Sequence, residues 1–300
     1  MIYLLTLECA LECKLLLSIL LEDKERTMTN HKNAQIMLIT GSNSGIGNAT
    51  AKKAVNAGFI TFGGARRKEA FDTIKSVGAI PILLDVTSKQ SMQDAIQLIE
   101  AKYGAIDVLI NNAGYGQMGP IEEVTLDEWR RQFNTNVFGV IRMTQLVIPA
   151  MRQQHRGTII NISSAGGEFT FPLAGAYHAT KYAIESISDA LRFELKPFGI
   201  RVAVIQPGAV STPLATATAE SIQATVDSPY QSLINAFRRT SQQTVGYIAP
   251  EQVARIIIKA AQASQPRTRY KVGMMARMMP TMRQVLSDGL WDRMVRRFYS

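Results

Sequence analysis

The stretch QIMLITGSNSGIGNATAKKAVNAG, residues 35 to 58, decides the fold. QIMLIT is mostly apolar and β-branched, GSNSGIG carries Gly41, Gly45 and Gly47, and the rest places small and apolar residues at helical spacing. Strand, glycine loop and helix follow one another without a linker. Glycines let a backbone take positive φ and approach a ligand closely, and a helix N-terminus offers unpaired N–H groups with a partial positive charge. The combination makes a cradle for a diphosphate. Its GxxxGxG spacing differs from the more general GxGxxG fingerprint, and read alone the loop also admits a plain tight turn as the lesser reading.

Six further apolar runs extend the pattern: FITFGG (59–64), IPILLD (80–85), IDVLIN (106–111), TIINIS (158–163), RVAVIQ (201–206) and RYKVG (269–273). Helical patterns over 45–57, 89–103, 126–153, 175–197 and 250–263 alternate with them. This alternation predicts an α/β Rossmann fold: a doubly wound, seven-stranded parallel sheet with helices on both faces. No Pro/Ser-rich linker interrupts residues 34–273, so they read as one domain. Residues 213–245 are small and polar with weak periodicity, the character of a mobile lid.

Both ends carry extensions. Residues 1–33 begin with an apolar stretch that Glu8, Glu12 and Lys14 interrupt, a poor membrane span without the features of a signal peptide. Met28 reads as the natural start, with an amphipathic anchor as the alternative. Residues 274–300 read as an amphipathic helix with Val285, Leu286, Leu290, Trp291, Met294, Val295 and Phe298 on one stripe. Such a helix covers a pocket or a subunit interface. The alternative is reversible contact with an anionic membrane through Arg293, Arg296 and Arg297.

Composition narrows the function classes. A hydrophobic fraction of 46% and a charged fraction of 19% suit a globular protein with a sizeable core. The net charge of +9 attracts anions in general. No Cys/His zinc spacing, RNA-binding aromatic motif or long basic run points to nucleic acid. Cys9 and Cys13 cannot make a disulfide framework for the body of the chain, which fits a reducing, cytoplasmic setting. His31 and His155 lack partners that suggest a metal, and no metal site is expected. His178 reads as peripheral and Trp129 as a packing residue.

The second strand runs into GGARRKEA, with no carboxylate where one would accept bonds from an adenosine 2'-hydroxyl. Arg66 and Arg67 stand there instead. Guanidinium forks suit a 2'-phosphate, so NADP(H) is expected over NAD(H). Farther on, Tyr177 and Lys181 stand at i and i+4 on one helix face. A tyrosine of ordinary pKa about 10 exchanges its proton slowly near neutrality, and an adjacent ammonium stabilises the phenolate. By itself YxxxK is a spacing that chance supplies freely.

Its order among other motifs is not. TGSNSGIG (40–47), LDV (84–86), NNAG (111–114), NTNVFG (134–139), ISS (162–164), YHATK (177–181) and PGAVST (207–212) together resemble the classical short-chain dehydrogenase/reductase family over nearly all of residues 35–273. The branch most similar holds retinol, hydroxysteroid and acyl-dihydroxyacetone-phosphate reductases. The resemblance implies hydride exchange between a nicotinamide cofactor and a ketone or alcohol. It makes Tyr177 the general acid or base, Lys181 its modulator and ribose ligand, Ser164 the donor to the substrate oxygen, and Asn136 the holder of a water behind the lysine. It places the cofactor on Gly41, Ser42, Ser44, Gly45, Ile46 and Gly47, on Asp85 and Val86, on Asn112, Ala113 and Gly114, and on Pro207, Gly208, Val210 and Thr212. Asn111 and Ser163 would be structural. It also implies a homodimer or homotetramer through the helices at 126–153 and 175–197. A cofactor-binding regulator without turnover is the alternative. Phe169, Phe171, Pro172 and Leu173, with Leu214, Ile222 and Tyr230 of the lid, favour a hydrophobic carbonyl or alcohol as substrate.

Overall fold

The computed structural model describes residues 34–212, 218, 222, 228–242 and 247–299. The expectations for residues 1–33, for Leu214, for most of the lid and for the Phe298 side chain lie outside these residues. Along the described chain run β1 (Ile36–Ile39), α1 (Gly45–Asn56), β2 (Ile60–Ala65), the short α2 (Phe71–Lys75), β3 (Ile80–Leu83), α3 (Lys89–Tyr103) and β4 (Val108–Asn111). Then come α4 (Leu126–Phe133), a π turn (Asn134–Phe138), α5 (Gly139–Gln153), β5 (Gly157–Ile162), α6 (Gly175–Leu195) and β6 (Ile200–Pro207). The last elements are α7 (Gln231–Gln242), α8 (Pro250–Gln262), β7 (Arg269–Val272), α9 (Met274–Val285) and α10 (Asp288–Tyr299).

The strands form one sheet in the order β3-β2-β1-β4-β5-β6-β7, every pairing parallel. Parallel strands need covered faces, and β1, β4 and β5 are buried along their whole length, with apolar side chains at every position except Asn111, Gly157, Thr158 and Asn161. The edge strand β3 is more exposed and tolerates Pro81, because an edge leaves main-chain donors unneeded. On one face Ala51 and Ala54 of α1 and Val253 and Ile257 of α8 join Met37, Ile39, Ile110 and Ile205 in the core. A polar thread crosses that apolar interior. Asn111 donates to Thr144 and to Asn161, and Asn161 donates to Ser188, so the end of β4 is tied to β5, α5 and α6.

The order reverses at β1 and β4, and in such sheets a crevice opens beyond the carboxyl ends of the strands at that point. The loops Gly41–Gly47 and Asn112–Gly116 leave these two strands there.

Three helical expectations need correction. The stretch 126–153 is not one helix: a π turn at Asn134–Phe138 divides it. The C-terminal stretch is two helices, because Leu286 is extended and Arg283 pairs with Asp288 across the break at 2.8 Å. Trp291, Val295 and Ala276 bury against Phe169, whereas Val285 and Leu290 of the expected stripe are exposed. Within the region read as a lid, α7 forms an amphipathic helix whose Ile234 is buried with Ile222 and Leu173. Among the described residues no helix is long and apolar enough to cross a membrane.

Candidate active site

Residues at the carboxyl ends of the strands line a cleft of about 1350 Å³. The glycine loop forms one wall, and Gly47 shows why it must be glycine: a Cβ there would lie 2.2 Å from the Gly41 carbonyl oxygen and 2.6 Å from Asn112 Nδ2. Asn112 uses that amide to donate to the carbonyls of Thr40 and Gly41, both at 2.9 Å, locking the loop after β4 to the loop after β1. The N-cap Ser44 makes no side-chain bond to the first turn of α1, so the N–H groups of that turn stay open to a ligand.

Most residues implied by the resemblance meet in this cleft. Gly41, Ser44, Gly45, Ile46, Arg66, Arg67, Asp85, Val86, Asn112, Ala113, Gly114, Ser164, Tyr177, Lys181, Pro207, Gly208, Val210 and Thr212 all line it. Ser42, Gly47 and Asn136 do not. Ser42 is fully buried, its hydroxyl donating to Ile39 O and its N–H to Gly64 O, so it braces the loop from behind. Asn136 is buried in the π turn. Its amide donates to Tyr115 O at 2.8 Å and Thr180 Oγ1 at 3.2 Å, and its Oδ1 accepts from Tyr115 N at 3.1 Å. Both amide hydrogens are thereby committed, and the residue fastens the loop after β4 to the helix that bears Tyr177.

That helix, α6, is delivered by a tight turn in which the buried Leu173 adopts φ 67°, a left-handed conformation a branched side chain rarely takes. Its carbonyl accepts from Gly119 N at 2.8 Å. Two turns of α6 then carry the chemistry. Lys181 Nζ donates to Ile162 O at the end of β5 at 2.8 Å and lies 5.6 Å from the centre of the Tyr177 ring. Ser164, two residues past Ile162, bonds Tyr177 and accepts from Gly166 N at 3.1 Å. Strand and helix thus bring the three side chains together.

Burial pushes the Tyr177 phenol up to about 12, with the Ser164 bond pulling the other way. Burial also lowers the Lys181 ammonium to about 8, against the raising effect of Glu185 one turn farther along α6. Glu185 is held in place by Gln206 Nε2 at 3.0 Å and Arg269 Nε at 2.9 Å. Before any ligand binds, the tyrosine is therefore a firmly protonated donor.

His178 is not peripheral. It is buried, lines the cleft and packs beside Phe169, Phe171 and Tyr177, with Nδ1 3.0 Å from Thr170 Oγ1. A Cβ on Gly166 would stand 2.3 Å from its ring, so that glycine admits the imidazole. One residue of rotation along α6 carried it away from Tyr177 in a helical projection, but the loop after Ser164 wraps both faces. Burial drops its pKa to about 4. As pH falls below the ordinary 6.5, the unfolded chain takes up a proton that the folded one refuses until about 4. Stability should therefore fall across this window by about 3 kcal/mol from this group. Urea midpoints between pH 7 and pH 4 should show a shallower loss in His178→Gln than in the unaltered protein; parallel curves would sink the assignment.

Sequence reasoning missed Asn43, Tyr115 and Arg131, which also line the cleft. Arg131 sits on α4, far along the chain from the glycine loop, and no local motif marks it. Asn111 is structural, tied into the polar thread described above. Ser163 is buried with its hydroxyl unpartnered among the described residues, and Trp129 stacks on Phe133. Among the described residues no cluster of His, Cys, Asp and Glu could hold a metal.

Fold and site together define a dinucleotide-binding oxidoreductase of the doubly wound kind. The family model for the short chain dehydrogenases matches residues 35–223, and the chain belongs to that family. It is 35% identical over 269 residues to a 3-ketodihydrosphingosine reductase of Bacteroides thetaiotaomicron, covering 89% of this chain and 98% of that one. Among solved structures, a short-chain dehydrogenase from Streptomyces avermitilis is 34% identical with a TM-score of 0.75, over 88% of this chain and 96% of the other. A 3-ketoacyl-(acyl-carrier-protein) reductase from Brucella melitensis, complexed with NADH, is 27% identical with a TM-score of 0.68, over 78% and 94%. The protein is therefore an enzyme that acts on CH–OH or carbonyl groups with NAD(P).

Proposed function

We propose that the protein reduces lipophilic ketones or aldehydes with NADPH, Tyr177 giving its proton to the carbonyl oxygen. The observation that carries this reading is one cleft lined at once by Ser164, Tyr177 and Lys181, by the guanidinium groups of Arg66 and Arg67, and by Phe169 and Phe171. Open N–H groups on α1 and two exposed arginines without an ion pair among the described residues fit a dinucleotide with an added phosphate. When bound, the nicotinamide supplies the hydride.

The chain does the rest. Ser164 accepts from Gly166 N–H, which leaves its own proton for an oxygen in the cleft, and it opposes the charge that grows there. Tyr177, protonated through the neutral range, donates to that oxygen as the charge develops. Lys181 stabilises the phenolate left behind. Both amide hydrogens of Asn136 are taken by Tyr115 O and Thr180 Oγ1, so its part here is to brace the helix that bears Tyr177. The apolar rings exclude bulk solvent and favour a lipophilic body on the substrate. A homodimer or homotetramer through α5 and α6 is the accompanying assembly, supported by the exposed Phe138 and Phe193 on this part of the chain.

A panel of ketones of increasing chain length, assayed with NADPH, tests the reading. Turnover should rise with chain length. Binding of NADPH without oxidation by any carbonyl would favour the regulator instead, and a preference for short polar substrates would overturn the lipophilic assignment.

A further inference from the structure

We propose that the outer face of α9, with the arginines of the C-terminal segment, docks on an anionic lipid bilayer and sets the cleft mouth against it. The inference rests on the lipophilic substrate read above. The inner face of α9 is settled: Ala276 and Pro280 are buried, Ala276 in the cluster with Phe169 and Trp291. The outer face is not. Met274, Met278 and Val285 are 72%, 50% and 78% exposed, and at ~100° per residue they fall within about 40° of one another. Soluble surfaces scatter such residues singly; a stripe of three along one helix is a contact surface.

Its neighbours choose the occupant. Residues 274–300 carry five arginines, Arg277, Arg283, Arg293, Arg296 and Arg297, against Asp288 and Asp292. Arg277 directly precedes Met278 in the stripe, and Arg293 and Arg296 are exposed on α10 beside the exposed Leu290. Apolar residues flanked by guanidinium groups match acyl chains beneath anionic headgroups. A second copy fits worse, because a two-fold contact would bring like charges together. Methionines, flexible and polarizable, suit an irregular surface. The stripe also borders the site: Met275, adjacent to Met274 and 44% exposed, lines the cleft. A substrate that partitions into lipid would pass from bilayer to cleft without crossing water. Since no described helix can span a membrane, the contact is peripheral.

The full chain is floated with vesicles of phosphatidylcholine and phosphatidylglycerol, and with phosphatidylcholine alone. Binding should be about tenfold or more tighter to the mixed vesicles and should be released by high salt. Met274→Glu with Met278→Glu should weaken it by about tenfold or more. Reduction of a water-soluble carbonyl should be unchanged by that pair, since neither residue lines the cleft. If the double variant fails to fold, Arg293→Gln with Arg296→Gln gives the same comparison. No binding, equal binding to both vesicle types, or loss of self-association in the methionine variant would each overturn the proposal. Vesicle binding needs no turnover, so failure of the substrate reading leaves this readout intact.

Discussion

Tyr177→Phe should lower turnover of a ketone by about a thousandfold, within the range that a positioned acid contributes, while the affinity for NADPH changes little. The argument is geometric. The substitution removes one oxygen and keeps the ring that packs against His178 and stands under Lys181. Lys181 keeps its bond to Ile162 O, and Ser164 keeps its bond from Gly166. What is lost is the proton, held near pKa 12 by burial and available throughout the neutral range. Reduction should be insensitive to pH below about 8 and decline above it, as the Lys181 ammonium, lowered to about 8, is lost and the phenolate is left without a counter-charge. Stopped-flow reduction and fluorescence titration of NADPH separate the two effects. Turnover surviving within a factor of a few in the Phe variant would move the proton source elsewhere.

The strands that build this site were legible because a parallel sheet buries both faces, which leaves continuous apolar runs such as IMLI (36–39) and VLI (108–110) in the sequence. The glycine loop and the Tyr177/Lys181 pair were legible because their spacing is enforced by backbone approach and helical period. Features that depend on packing between distant segments were not. The π turn at Asn134–Phe138 left the apolar pattern of 126–153 unbroken to the eye, yet it sets Asn136 where the loop after β4 needs a partner. His178 looked peripheral because helical projection says nothing about a loop wrapping over α6. The break between α9 and α10 carried a turn signal, Ser287-Asp288-Gly289, that the apolar stripe overrode in reading. Ser42 matched a family motif by position, while its buried hydroxyl answers to Ile39.

Replacing Arg66 and Arg67 together by serine should weaken NADPH by about a hundredfold and leave NADH within a few fold. Both side chains are exposed in the cleft immediately beyond Ala65, the last residue of β2, and neither forms an ion pair with a described residue. A charge-assisted hydrogen bond from each to a 2'-phosphate, worth ~1.5 kcal/mol at the low end, gives about that factor. Glu69 lines the same cleft and opposes them. A lone carboxylate there would repel a phosphate and accept from a ribose hydroxyl, which is how this site could have served NAD(H). Three guanidinium groups on the lining, those of Arg66, Arg67 and Arg131, against the carboxylates of Glu69 and Asp85 leave the balance positive. The related reductase from Brucella melitensis, complexed with NADH, shows that the fold alone does not decide the matter. Because the arginines are exposed, their preference should narrow as ionic strength rises, through screening. Glu69→Gln should move the ratio in the opposite sense to the serine pair, toward NADPH. Competitive titration of both cofactors against the unaltered protein and these variants checks the set, and tighter binding of NADH to the unaltered protein would overturn the role given to both arginines.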